Sequence, residues 1–282
     1  MIEFIAAVSR YSFLQYALIT GTLASVACGI VGSYVVTRRI TYVAGGIAHF
    51  VLGGMGAAKF FQVKYGLQWL TPINGAIISA LIAAMIIGLV SIHRKEREDT
   101  IISVIWSVGM AVGIIFISQT PGYNRDLLSY LFGNILMVSP NEILMIGILD
   151  TLIVVLGILF YNQLLAVCFD EEFAALRGVN VKLFYLMLLG MTALTVVLLI
   201  TVVGIIMVIA LLTIPAAIAS LFSRTLFQTM IIAVILSMLF TVSGLAISFS
   251  PDLPAGATII ILACVSYIIA ALISKIAKPN TA

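Results

Sequence analysis

Charge is what this 282-residue chain has least of: Asp, Glu, Lys and Arg together make up 9% of it, against about a quarter of an average soluble domain. So few charges cannot cover a water-exposed surface, which excludes a soluble globular protein. Cysteine is almost as scarce. Cys28, Cys168 and Cys264 stand apart with no CxxC pair, so neither a disulfide framework nor a zinc cluster is encoded, and all three read as packing residues. No GxxxxGK[ST] loop is present to cradle nucleotide phosphates, so any ATP used on this chain's behalf must be hydrolysed by a partner. There is no basic tail, and a net charge of +3 gives no reason to expect a nucleic-acid partner. The N-terminus lacks a basic start and a small-residue cleavage site, so the first apolar run is expected to be retained as a span. Low-complexity segments and internal repeats are also missing, and no stretch is left over for a soluble domain.

What fills the space is apolar sequence, 63% of all residues, in runs of about twenty that follow one another almost without pause. A hydrocarbon core about 30 Å thick needs about 20 helical residues to cross it. That ruler predicts an all-α, polytopic transmembrane bundle with about nine spans: residues 13–36, 42–63, 72–92, 100–118, 142–161, 183–201, 204–222, 226–248 and 255–274. The count falls to eight if 183–222 is one crossing followed by a broken segment. Residues 127–138 are apolar but too short to cross, and read as a re-entrant or interfacial helix. The whole chain, 1–282, reads as one membrane domain.

Basic residues test the layout, because short cytoplasmic loops collect Lys and Arg. With the N-terminus outside and the C-terminus in the cytoplasm, the inner loops hold Arg38, Arg39, Arg94, Lys95, Arg97, Arg177, Lys182, Arg224, Lys275 and Lys278. Only Arg10, Lys59, Lys64 and Arg125 fall outside, so 10 of the 14 basic residues lie inside. Outer turns then carry the proline and glycine, around Pro121-Gly122 and around Pro251-Asp252-Leu253-Pro254.

The longest inner loop, 162–182, opens with Asp170, Glu171 and Glu172 and runs through Ala174 to Gly178. Acids at the start and a glycine at the end suit the dipole and the left-handed cap of a short helix. From spacing alone it is either a connector or a docking surface.

Ionisable groups inside a span are costly and so are functional candidates. Only His49 and Asp150 lie well within predicted spans. His49 is ten residues beyond Arg39, about 15 Å along a helix and so near the bilayer midplane. Gly45, Gly53 and Gly56 share its side of the helix, which suits either close helix packing or an open pathway. Its two readings are a metal ligand and a hydrogen bond across a helix contact. Asp150 serves either structure or transport. Pro215, within 204–222, should kink or break that helix, with Thr213 or Ser220 as partners for the freed groups.

Several segments together resemble the metal-type ABC importer permeases, the zinc and manganese uptake family. Phe169-Asp170-Glu171-Glu172-Phe173-Ala174 with Gly178 looks like that family's coupling segment. Arg38-Arg39 followed by Gly45-Gly46-Ile47-Ala48-His49 looks like its second-helix motif, and Ser129-Tyr130-Leu131-Phe132-Gly133-Asn134 like its central Leu-Phe-Gly segment. Val203-Gly204 through Ile214-Pro215-Ala216-Ala217 is similar to its Gly-to-Pro-Ala-Ala signature, and Asp252-Leu253-Pro254-Ala255-Gly256 matches the turn before the last helix. One departure stands out. Many members have Asp where this chain has Gly45, four residues before the histidine and on the same helix face.

The resemblance implies a multi-pass permease in the cell membrane that moves zinc, manganese or iron inward. It implies a second copy of the permease, two ATP-binding-cassette ATPase subunits and an extracytoplasmic metal-binding protein as partners. Asp170, Glu171, Glu172, Ala174 and Gly178 would serve ATPase coupling, and the metal would be cargo, with no cofactor bound. Rival expectations are an ABC permease for another cargo, such as a metal chelate, and an ion-driven secondary carrier. A carrier of that kind usually uses several intramembrane acids, and only Asp150 qualifies.

Overall fold

In a computed structural model of the chain, the described residues are 2–93, 98–120, 135, 138–205, 208–249, 251 and 253–277. The basic residues at 94, 95, 97, 125 and 278, the segment 129–134, most of the expected re-entrant helix at 127–138, and positions 121, 122 and 252 of the outer turns lie outside them.

Every element among the described residues is a helix. In chain order they are α1 (Ile2–Arg10), α2 (Ser12–Arg38), α3 (Thr41–Tyr65), α4 (Pro72–His93), α5 (Glu98–Ser118), α6 (Pro140–Leu159), α7 (Tyr161–Phe169), α8 (Glu171–Leu176), α9 (Val181–Val203), α10 (Val208–Phe222), α11 (Leu226–Phe249) and α12 (Ala255–Ala277). Eight of them, α2 to α6, α9, α11 and α12, are long and apolar enough to cross a membrane. The choice between eight and nine crossings therefore turns on α10.

A cavity of about 890 Å³ is lined by Arg38, Ile40, Ser91, Asp99, Phe169 and Lys182. It gathers the ends of α2, α4 and α7 and the starts of α3, α5 and α9 at one end of the bundle, referred to below as the basic end. Phe227, at the start of α11, sets its ring 6.3 Å from that of Tyr161 in α7, so α11 also begins there. Since α9 leaves this end and α11 starts from it, α10 has to bring the chain back, and the described chain makes nine passages. At the opposite end Phe4 of α1 meets Phe249 of α11 at 5.7 Å.

Fifteen residues reach only about 22 Å at 1.5 Å each, so α10 is too short for a full crossing. Gly204 and Ile205, the described residues between α9 and α10, add to its length. Gly204 has φ 79, outside the helix region, and its N–H still bonds Ile200 O at 3.1 Å. Gly204 and Ile205 are both buried, which is the condition for non-helical backbone at membrane depth.

Pro215 sits inside α10, and the helix continues through it. A proline has no N–H, so the carbonyl four residues earlier, Leu211 O, loses its helical partner. Cys28 of α2 takes that place, its Sγ donating to Leu211 O at 2.9 Å. The expected partners bond elsewhere: Thr213 Oγ1 donates to Ile209 O and Ser220 Oγ to Ala217 O. Cys28 therefore does more than pack.

Helices in lipid gain little from apolar contact with one another, because lipid tails are equally apolar, so close packing of small residues decides which pairs associate. Here α3 and α5 pack along their lengths. A Cβ on Gly53 would stand 2.9 Å from Gly109 O and one on Gly56 2.8 Å from Gly113 O, so only glycine permits this approach of two backbones. The apolar windows of α2, α3 and α9 are 67%, 72% and 67% buried, while those of α6 and α12 are only 22% buried. The first three form the centre, and α6 and α12 turn most of their apolar surface outward, as helices facing lipid or another chain do.

Candidate functional site

Two places hold most of the residues singled out by the sequence, and Asp150 and Pro215 lie apart from both. The first is the connector at the basic end, α7 to α9. Asp170 is extended, with φ −153 and ψ 105, and its Oδ1 accepts from Glu172 N at 3.0 Å and Phe173 N at 2.9 Å, satisfying two of the orphan donors at the start of α8. Two further acids, Glu171 and Glu172, occupy the first turn, where they suit the positive end of the helix dipole. At the other end Gly178 has φ 78. Its N–H reaches Ala175 O at 3.0 Å, and Val179 N–H reaches Ala174 O at 3.0 Å, the paired bonds of a Schellman cap. Asn180 then caps α9 by accepting from Leu183 N at 3.2 Å.

So short a helix is not stable on propensity, and the caps explain why it forms. Ala174 is wholly buried beneath it, whereas Phe169, Phe173 and Leu176 are 69%, 50% and 88% exposed. At the basic end, beyond the membrane-spanning helices, those apolar side chains face water unless another protein covers them. Cys168, one turn before α8, is buried. Burial pushes its thiol up to about 12 against the lowering influence of Arg38, so it remains a protonated, packed side chain.

Arg38, read from the sequence as an inward charge and as the start of the second-helix motif, proves to contact this connector. Its Nη2 pairs with Glu171 and its Nη1 donates to Val167 O at 2.6 Å. Its guanidinium carbon lies 5.0 Å from the centre of the Tyr185 ring.

The second place is the middle of α3. His49 Nδ1 is 2.8 Å from Gly45 O, one turn back along its own helix. A carbonyl only accepts, so Nδ1 carries the proton and Nε2 keeps a lone pair for a ligand. The imidazole stacks on Trp106 of α5, with ring centres 3.8 Å apart and planes at 19°. Both residues lie eight positions into parallel helices that start at the basic end, about 12 Å deep. The glycine side of α3 is closed: Gly53 and Gly56 meet α5, and a Cβ on Gly45 would stand 2.7 Å from Ile209 Cδ1 of α10. An aspartate there would have to displace Ile209.

Asp150 is elsewhere. It lies in α6, 5% exposed, and its Oδ1 accepts at 3.0 Å from the N–H of Ala27 in the interior of α2. That ties α6 to α2. Among the described residues no three of His, Cys, Asp and Glu stand close enough to hold a metal ion; His49 is packed on α5 and Asp150 is bonded to α2, so different helices hold the two. Pro215 is in neither place; it marks the contact of α10 with α2.

Comparison with known proteins agrees with this geometry. The profile of the ABC 3 transport family matches residues 10–274. A Chlamydia pneumoniae protein named "Probable metal transport system membrane protein" is 42% identical over 92% of this chain and 88% of its own length. The manganese transport system membrane protein MntC of Listeria monocytogenes is 32% identical over 95% of this chain and 92% of its own. Among solved structures, PsaBC from Streptococcus pneumoniae in complex with Fab superposes with a TM-score of 0.85 at 31% identity, over 96% of this chain and 95% of that one.

Proposed function

The chain belongs to the ABC 3 transport family, and we propose that it is the membrane permease of an importer that carries divalent metal ions into the cell, driven by ATP hydrolysis on a partner subunit. The observation that carries this reading is α8, a six-residue helix capped at both ends, which leaves Phe173 and Leu176 exposed beside the equally exposed Phe169 that ends α7. A docking surface explains those exposed side chains, and a mere linker does not. The names of the relatives favour a metal as cargo, with manganese the ion that one of them names; zinc and iron are kept as the other ions of the proposed class.

In this reading two copies of the chain stand side by side, each resting α8 and the acids Asp170, Glu171 and Glu172 on an ATPase subunit. The N-terminus is outside and the C-terminus cytoplasmic, a reading that the excess of basic residues at one end supports. Closure of the ATPase subunits on ATP moves α8, the helices rock, and an ion delivered by an extracytoplasmic binding protein passes inward. His49 meets it through Nε2. A single imidazole binds a divalent ion weakly, which suits a site the ion must leave.

The test is transport by the chain assembled in liposomes with its ATPase subunit and binding protein. Radiolabelled manganese should enter only when ATP is hydrolysed. Entry that follows a proton or sodium gradient with no ATPase present would sink the reading in favour of a secondary carrier.

A further inference from the structure

An importer of this kind has to carry motion from its cytoplasmic connector to the helix that bears His49. The backbone of α8 packs on α7 and α9, neither of which holds that histidine. We infer that Arg38 is the positioning residue through which α8 moves the α2–α3 hairpin, an inference that rests on the importer reading above.

Arg38 closes the last turn of α2. Its guanidinium reaches three other helices at once: Nη1 donates to Val167 O in α7 at 2.6 Å, Nη2 pairs with Glu171 in the first turn of α8, and the plane lies over Tyr185 in α9. Tyr185 in turn donates its hydroxyl to Ser91 Oγ of α4 at 3.1 Å. The side chain is only 17% exposed. Bonded to two partners and set against Tyr185, a planar fork is held more firmly than a single-point charge would be, so a shift of Glu171 is passed on to α2.

What lies beyond Arg38 is equally stiff. Arg39 is left-handed, φ 61 and ψ 33. Its N–H bonds Val36 O at 3.1 Å, and the Ile40 N–H bonds Val35 O at 3.0 Å, so α2 ends in a Schellman cap and α3 begins at Thr41. From there His49 is eight residues, about 12 Å, along an unbroken helix. Glu171, Arg38, the Arg39 turn and α3 form one mechanical line from the ATPase face to the histidine.

The line is tested by metal imported per ATP hydrolysed, in the transporter assembled with its ATPase subunit and binding protein. Arg38→Gln, Glu171→Gln and the double variant are compared with wild type. Each single change should lower that ratio about fivefold to tenfold while ATP hydrolysis continues, and the double variant should be no worse than Arg38→Gln. Arg38→Lys keeps the charge without the fork and should also be low. An Arg38→Gln complex that imports with the wild-type ratio overturns the inference, as do losses that multiply in the double variant. Should Arg38→Gln fail to assemble, Glu171→Gln decides alone, because it leaves the Val167 and Tyr185 contacts intact: measured with the ATPase subunit at saturation, so that weaker docking does not enter, a lowered ratio supports the line and an unchanged one overturns it. A wild-type complex that imports no metal overturns the importer reading itself, and this inference with it.

Discussion

The middle of α3 and the connector around α8 are built on opposite plans. At mid-depth the chain is packed against itself, glycine against backbone, with Gly53 facing Gly109 and Gly56 facing Gly113. The histidine there is fixed by its own helix and by one aromatic face. At the basic end the chain instead spends its polar side chains on caps and leaves large apolar ones outward. The contrast teaches that the first region is specified by what fits inside this fold, and the second by what is to be met outside it. Substitutions should therefore separate the two, through abundance in one place and through coupling in the other.

The largest effect is expected where two backbones touch. Gly109→Val puts a branched side chain against the backbone of Phe50 in α3, an overpacking of about 3 kcal/mol, and membrane abundance by quantitative blotting should fall severalfold. Next comes Gly178→Pro, which removes the N–H that bonds Ala175 O and forbids φ 78, at about 3 kcal/mol. Here the chain should insert normally and lose ATP-driven uptake. Gly178→Ala has open space for its Cβ and bears only the left-handed backbone term of about 1 kcal/mol, so it should keep part of that uptake. Equal uptake in wild type and Gly178→Pro would dissolve the contrast.

His49→Ala is the exception at mid-depth, because its Nε2 is offered to a ligand and not to packing: it should lower uptake at limiting metal about tenfold, equivalent to about 1.4 kcal/mol, with abundance unchanged. His49→Asp should restore a fraction, since a carboxylate ligates the same ions. Unchanged uptake in the alanine variant would make the histidine a packing residue after all. The smallest effect belongs to Asp170→Ala, which loses one helix cap, about 1 kcal/mol. It should weaken binding of the ATPase subunit severalfold in a pull-down while leaving the thermal stability of the bundle within a degree or two.

The spans were legible because a bilayer leaves a one-dimensional record, apolar length between polar turns. All eight long helices lie where the runs predict them. The ends of α8 were legible too, since Asp170 and Gly178 act through local backbone geometry that spacing reveals. Contacts between helices left no such record. Nothing along the sequence pairs Arg38 with Glu171, Trp106 with His49 or Cys28 with Leu211, because those meetings depend on which helices stand together and at what rotation. The glycine side of α3 allowed a pathway or a packing face, and α5 and α10 fill it. The shortness of α10 is a tertiary fact as well: its break survives only because the surrounding protein covers Gly204 and Ile205.

The thiol of Cys28 and the ring of Pro215 act as a single unit, one freeing a carbonyl and the other occupying it. While residue 215 is proline, the carbonyl of Leu211 needs a donor from α2, and Cys28 is the side chain that supplies it. In a descendant with alanine at 215 the helix would satisfy that carbonyl itself, and position 28 would be released to drift toward alanine or glycine. Lineages should then gain and lose the pair together, with serine, another short donor, as the substitute at 28 wherever the proline persists.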